Sequence, residues 1–181
     1  NIDQPSSKLK ACMELIKTMQ ENKQKVLLFS SFTSALDLIA EECQKAGITY
    51  YMLTGSTNKE ERRELVSRFQ KDDTTLFLIS LKAGGTGLNL TSAENVIHYD
   101  PWWNVSAQNQ ATDRAYRIGQ KSNVQVFNLV MKDSVEEKII EMQKRKKELA
   151  DMFVENNSGG LSQMSKEVYL QCKRRQCRLL V

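Results

Sequence analysis

Residues 25–54, KVLLFSSFTSALDLIAEECQKAGITYYMLT, decide the fold. Residues 25–30 and 49–54 are short apolar runs typical of buried strands, and Thr33–Ala46 between them has the apolar spacing of a helix that ends at Gly47. Strand and helix patterns go on alternating as far as residue 154. This alternation predicts an α/β domain with a mostly parallel sheet and helices on both of its faces.

The composition limits the possible functions. The chain has 181 residues, 40% of them hydrophobic and 27% charged, which suits one soluble domain with its own core. The net charge of +4 lies in the tail, because residues 161–181 carry five bases and one acid while residues 1–160 carry 21 of each. Any nucleic-acid contact must therefore come from the local placement of basic groups and not from a bulk positive field.

Other classes are disfavoured by single features. No apolar run is long enough to span a bilayer, and no secretory signal opens the chain. The four cysteines form no Cys-x-x-Cys pair, so we expect no metal site. Cys12 and Cys43 fall within helical patterns and are interpreted as buried apolar residues of a protein in the reducing cytoplasm.

The chain divides into one domain and a tail. We expect the domain to span residues 1–155, and residues 156–181 to be a linker followed by a peripheral or disordered tail. The polar first residues lack an initiator Met, so we expect the chain to begin inside a longer protein.

Residues 80–89, SLKAGGTGLN, follow a predicted strand at the edge where parallel sheets bind ligands. The glycines allow close approach of a ligand, and successive backbone N–H groups can hold an anion. The spacing nevertheless fits neither the dinucleotide motif, which would need glycine at Leu90, nor a Walker loop. A tight turn and a phosphate site both stay open.

Residues 110–117, QATDRAYR, continue a helical pattern that begins near Val105. On a helix Gln110, Arg114 and Arg117 share one face, beside a stripe of small apolar residues. Two permanently charged guanidinium groups on one face suit a phosphate. A solvated charged face, with Asp113 as a local partner, is the alternative.

Residues 98–103 contain the only histidine and both tryptophans. His98 lies within a strand pattern and is interpreted as a core residue. Trp102 and Trp103 are adjacent, so they cannot both face one core direction. We expect Trp102 to pack inside, and leave Trp103 open between packing and contact with a partner.

In combination and order these motifs resemble the second RecA-like lobe of Swi/Snf-type ATPases, which are superfamily-two DNA translocases. The match runs from residue 25 to 153 and rests on Gly-Gly-x-Gly-Leu-Asn-Leu from Gly84 and Gln-Ala-x-Asp-Arg-Ala-x-Arg-Ile-Gly-Gln from Gln110. Val105 and Tyr116 depart from the usual Pro and His, and residues 168–181 do not match. The resemblance implies a RecA-like three-layer domain. Residues 100–104 are more similar to bacterial members of this family, so we expect a bacterial source.

The resemblance also implies roles for individual residues. Arg114 and Arg117 are similar to the catalytic arginine fingers that reach ATP across a cleft. The residues similar to the nucleotide-linked positions are Gly85, Thr86, Gly87 and Gln110. Those similar to contacts with the DNA backbone are Ser30, Thr54, Gly55, Ser56, Lys82 and Trp103.

The implied function is that of the C-terminal motor lobe of a double-stranded DNA translocase. The chain contains neither a Walker loop nor an Asp-Glu-x-His box. ATP with Mg²⁺ is therefore expected to be held mainly by an N-terminal lobe, and this chain alone to be inactive. We expect a monomer in the bacterial cytoplasm, on the nucleoid. The alternatives are a non-catalytic nucleic-acid or protein-binding module of RecA-like shape and a stand-alone nucleotide-cofactor enzyme.

Overall fold

The computed structural model describes residues 6–84, 88–102, 104–112, 124–155, 166–172 and 177–180. Its helices are α1 (Ser7–Glu21), α2 (Thr33–Ala46), α3 (Lys59–Lys71), α4 (Leu81–Gly84), α5 (Val105–Thr112) and α6 (Val135–Glu155). Its strands are β1 (Val26–Ser30), β2 (Tyr50–Leu53), β3 (Leu76–Ser80), β4 (Asn95–His98), β5 (Gln125–Met131), β6 (Lys166–Cys172) and β7 (Cys177–Leu180).

The strands form one sheet in the order β2-β3-β1-β4-β5-β6-β7. The first five strands are all parallel, and β1 lies at their centre, with Val26 opposite both Leu76 of β3 and Asn95 of β4. A central strand has no edge exposed to water, and β1 is accordingly buried along its whole length. This five-stranded parallel sheet with its helices is the predicted α/β fold of the RecA-like type.

Two apolar clusters cover the two faces of the sheet, because successive strand residues point to opposite sides. Leu28 of β1 belongs to the cluster that packs against α1 and α2. Leu27 and Phe29 belong to the other cluster, which contains Phe69 of α3 and Ala111 of α5. The structure therefore has the three layers that the sequence predicts.

Local signals set several helix ends where the sequence places them. The side chain of Asn58 accepts a hydrogen bond from the Glu61 backbone N–H at 2.8 Å, and Gly47 ends α2 with a left-handed φ of 67°. At the start of α6 the Ser134 hydroxyl accepts from the Glu136 N–H at 3.2 Å instead of from Glu137, whose carboxylate accepts from the Asp133 N–H at 2.8 Å.

A buried ion pair connects the first helix to the last. The Lys8 ammonium donates to both carboxylate oxygens of Glu136 at 2.8 Å and lies 5.0 Å from the centre of the Tyr99 ring. Lys8 is 5% exposed, and these partners compensate for the loss of water around its ammonium group. Glu136 also accepts from the Met131 N–H at 2.7 Å, which fixes the turn between β5 and α6.

Two strands lie beyond residue 155. β6 pairs with β5 in parallel, and β7 pairs with β6 in antiparallel, at the edge of the sheet. The sequence predicts a linker and a peripheral or disordered tail here, and the domain boundary at residue 155 stays a prediction.

Candidate functional site

The candidate site lies at the edge of the sheet where the parallel strands end. β1 ends at Ser30 and β3 at Ser80, opposite each other in register, while β2 ends at Leu53 just before Thr54. In open parallel sheets this edge is where ligands bind. Predicted site residues thus begin three segments that lie on one side of the domain. These segments start at Ser30, Thr54 and Lys82.

Asp100 joins two of the strand ends. It follows β4 and is 5% exposed, and its carboxylate accepts hydrogen bonds from the hydroxyls of Ser30 and Ser31. It also accepts from the Ser31 backbone N–H at 3.0 Å, while the Ser30 hydroxyl accepts from the Phe32 N–H at 3.1 Å. A buried carboxylate with several donors holds the turn after β1 against the segment after β4.

The turn after β2 exposes small polar groups. The Thr57 hydroxyl accepts from the Thr54 backbone N–H at 3.0 Å, and the hydroxyls of Thr54 and Ser56 are 2.8 Å apart. Gly55 and Ser56 are exposed. A Cβ added at Gly55 would meet nothing within 4 Å, so the space above this turn is open to a partner. Such a turn can accept a phosphate group at close range.

Helix α3 holds both sides of the glycine-rich turn. The Arg62 guanidinium donates to the Ala83 carbonyl oxygen at 3.1 Å. The Gln70 side-chain amide donates to the Asn89 carbonyl oxygen at 2.7 Å and accepts from the Ser92 N–H at 3.1 Å. The chain before and after residues 85–87 is thereby fixed to one helix.

A network of amide side chains positions the start of α5. The Gln108 side chain accepts from the Trp102 backbone N–H at 3.3 Å and donates to the Asn128 side chain at 3.0 Å. Gln143 of α6 donates to the Trp102 carbonyl oxygen and to the Gln108 side chain. These bonds hold α5, which precedes Arg114 in the chain, against strand β5 and helix α6.

The charge state of the groups near this edge follows from burial. Burial lowers the pKa of His98 to about 4, so the ring is neutral at pH 7. It lies 1% exposed and stacked on Phe29 with the ring centres 5.7 Å apart, as the core interpretation predicts. Burial also raises the pKa of Tyr99 to about 12. Neither of these two groups therefore exchanges a proton near neutral pH.

The structure separates the predicted site residues into three groups. Ser30 is buried with its hydroxyl held by Asp100, and Thr54 is half-buried. Gly55, Ser56, Lys82 and Gln110 are exposed. Outside the described residues lie Gly85, Thr86, Gly87, Trp103, Arg114 and Arg117.

Sequence reasoning missed the residues that support this edge, namely Asp100, Gln70, Gln108, Asn128 and Gln143. Their partners are distant in sequence and depend on the strand order. One signal was available for Asp100, since a polar residue directly after a buried strand stands at the ligand-binding edge. Trp102 packs against the cluster on the α3 and α5 face, as expected.

The described part of the chain lacks two further kinds of feature. Within it, no group of three or more His, Cys, Asp or Glu residues is placed to hold a metal ion. None of its helices combines the length and the apolar character needed to cross a membrane.

Comparison with known proteins gives consistent results. Residues 7–119 match the family model described as "Helicase conserved C-terminal domain". The "Putative ATP-dependent helicase/translocase YwqA" of Bacillus subtilis is 40% identical over 154 residues, which are 84% of this chain and 17% of that protein. The "ISWI chromatin-remodeling complex ATPase ISW1" of Saccharomyces cerevisiae is 39% identical over 158 residues, which are 86% of this chain and 14% of that protein.

A solved structure is similar as well. The C-terminal part of the Fun30 ATPase domain superposes with a TM-score of 0.74 and 39% sequence identity, covering 78% of this chain and 47% of that chain. An "Uncharacterized ATP-dependent helicase" of Mycoplasma pneumoniae is 41% identical over 145 residues, which are 80% of this chain and 14% of that protein. The chain thus spans less than a fifth of the length of these curated relatives.

Proposed function

Because the chain belongs to the helicase conserved C-terminal domain family, among SNF2-type ATP-dependent helicases, we propose that it is the C-terminal motor lobe of an ATP-driven translocase acting on double-stranded DNA. The supporting observation is that hydrogen bonds hold the described residues next to both diagnostic motifs. Arg62 and Gln70 hold the two sides of the glycine-rich turn, and Gln108 holds the helix that leads to Arg114 and Arg117.

The proposed chemistry is electrostatic stabilisation by this chain's arginines. ATP with Mg²⁺, held mainly by an N-terminal lobe, supplies the phosphoryl group and its neutralising cation. Arg114 and Arg117 donate hydrogen bonds to the γ-phosphate oxygens, where charge develops during hydrolysis. An arginine finger changes turnover by about 10³–10⁵, equivalent to roughly 4–7 kcal/mol of transition-state stabilisation. Without the N-terminal lobe the chain is expected to be inactive.

The proposed link between nucleotide and DNA is the glycine-rich turn. Gly85, Thr86 and Gly87, with Gln110, take the position between the phosphates and the DNA backbone. The flanking bonds from α3 support this role, because they hold the chain before and after residues 85–87 against one helix.

The proposed DNA contacts lie along the same edge. Thr54, Gly55, Ser56, Lys82 and Trp103 contact the phosphate backbone, which gives affinity and register but little sequence preference. Ser30 is buried, so we assign it a positioning role through Asp100. The intact protein is proposed to act as a monomer on bacterial nucleoid DNA, in line with its bacterial relatives.

The test uses Arg117→Ala in the intact parent protein. We expect DNA-stimulated ATP hydrolysis to lose about 10³ or more in kcat while the KM for ATP changes little, because the finger acts mainly in the transition state. Arg145→Ala, on the exposed face of α6, is the matched control and retains turnover. Unchanged turnover in Arg117→Ala would remove the finger assignment.

A further inference from the structure

A groove of about 630 Å³ lies between α3 and the segment that follows the glycine-rich turn. Val66 and Leu88 contribute its apolar part, and Asn89 lines it from the side of the turn. Thr57 and Ser67 add hydroxyl groups, and the three basic residues Lys59, Arg62 and Arg63 complete the lining. The groove thus combines an apolar surface with a concentration of positive charge.

The charged residues of α3 that line the groove differ from those on the rest of the helix. The residues that line the groove recur at the helical spacing of three and four, and their charged members are all basic. Glu60, Glu61 and Glu64 belong to the same helix but do not line the groove, and Glu64 pairs with Arg68 at 2.5 Å. In the part of the chain described by the structure, no ion pair involves Lys59 or Arg63. Their charges are therefore available to an anionic ligand.

The groove is continuous with the proposed DNA-binding turn. Thr57 lines the groove, and its hydroxyl also accepts from the Thr54 backbone N–H at 3.0 Å. Arg62 is committed to the Ala83 carbonyl oxygen and fixes the opposite wall. Exposed basic side chains lie on the first two turns of α3, directly after the turn that contains Gly55 and Ser56.

We propose that this groove holds the DNA backbone next to the Thr54–Ser56 contact, with Lys59 and Arg63 donating to successive phosphates. The proposal rests on the proposed function in taking DNA as the ligand, and it adds two phosphate-binding residues and their groove. Arg63 presents a planar fork of donors and Lys59 a point charge. Arg62 is a positioning residue that keeps the wall formed by Ala83 in place.

The test measures binding of the full chain to a labelled DNA duplex by fluorescence anisotropy between about 25 and 200 mM salt. Each lost phosphate contact lowers the slope of log K against log salt by about 0.9, so Lys59→Ala with Arg63→Ala lowers it by about 1.8. The affinity falls roughly tenfold per side chain at about 50 mM salt, equally for duplexes of different sequence. Lys71→Ala, at the other end of the same helix and outside the groove, is the matched control. Urea unfolding of each variant verifies that the fold is intact.

Three results would overturn the proposal. The double variant could keep the slope and affinity of the unaltered chain, or the unaltered chain could show no salt-dependent binding even at about 25 mM salt. A polyglutamate peptide could bind in a way that depends on Lys59 and Arg63 while DNA affinity does not, which would assign the groove to an acidic protein segment. Each of these results leaves the ATPase test of Arg117→Ala in the parent protein independent and informative.

Discussion

Replacing Asp100 tests whether the turn after β1 depends on the segment after β4. In Asp100→Ala the hydroxyls of Ser30 and Ser31 and the Ser31 N–H lose their common acceptor. A hydrogen bond to a charged group contributes about 1.5–3 kcal/mol. The Ser30 hydroxyl lies 3.2 Å from the Phe32 carbonyl oxygen and can donate there instead, and Ser31 is half-buried, so we expect a loss of about 3–4 kcal/mol in the free energy of unfolding.

The assay is urea unfolding at constant pH, followed by tryptophan fluorescence. With an m-value of about 2 kcal/mol/M, the midpoint falls by about 1.5–2 M in Asp100→Ala. Asp100→Asn keeps one oxygen acceptor and the shape of the side chain, so about 1–2 kcal/mol is expected. Asp37→Ala, an exposed aspartate on α2, is the control and changes the stability by less than about 0.5 kcal/mol. A loss below about 1 kcal/mol in Asp100→Ala would show that the turn after β1 does not depend on this carboxylate.

Three further changes test other parts of the structure. The added Cβ of Gly55→Ala meets no atom within 4 Å, so the free energy of unfolding in urea is expected to stay unchanged or to rise by about 0.5 kcal/mol. DNA-stimulated turnover of the parent protein is expected to fall. A loss of stability in this variant contradicts the expectation. Lys8→Ala leaves Glu136 without its partner and lowers the unfolding free energy by about 2–3 kcal/mol, and Lys8→Met, which keeps the apolar stem but not the charge, loses a similar amount; recovery of the stability by Lys8→Met would argue against the ion pair. The pKa of His98 is lowered to about 4, below its value near 6.5 in the unfolded chain. The neutral buried ring therefore contributes fully to the free energy of unfolding above pH 6.5, and about 3 kcal/mol of that free energy is lost as the pH falls toward 4. A stability difference between the unaltered chain and His98→Gln that stays constant across this pH range would disprove it.

The fold could be predicted from sequence because its signals are local. Apolar spacing and Gly47 place α2 at Thr33–Ala46, the bounds that the structure has. Asn58 caps α3 through the Glu61 N–H as its spacing predicts. Local signals do not predict the strand order, because the position of β1 between β3 and β4 is set by pairing between distant segments.

The candidate site was predictable as a set of segments but not as a set of contacts. The edge rule for parallel sheets brings Ser30, Thr54 and Lys82 to one side of the domain. Whether a hydroxyl faces a ligand or the protein depends on its neighbours in space, and Asp100 turns Ser30 inward. The groove beside α3 depends on residues 88–89 packing opposite that helix, which helical spacing alone does not indicate.

The tail shows a further limit of local patterns. β6 and β7 pair at the edge of the sheet through backbone hydrogen bonds, which any residue except proline can make. A polar and basic sequence such as residues 166–180 carries little apolar alternation to indicate such strands.

The proposed arginine fingers can be seen in an experimental structure of the intact parent protein bound to duplex DNA and a γ-phosphate mimic of ATP. We expect the guanidinium groups of Arg114 and Arg117 both to lie within about 3 Å of oxygens of the mimic, across the cleft from the lobe that holds it. Both groups packed against their own sheet, or directed away from the glycine-rich turn, would contradict it.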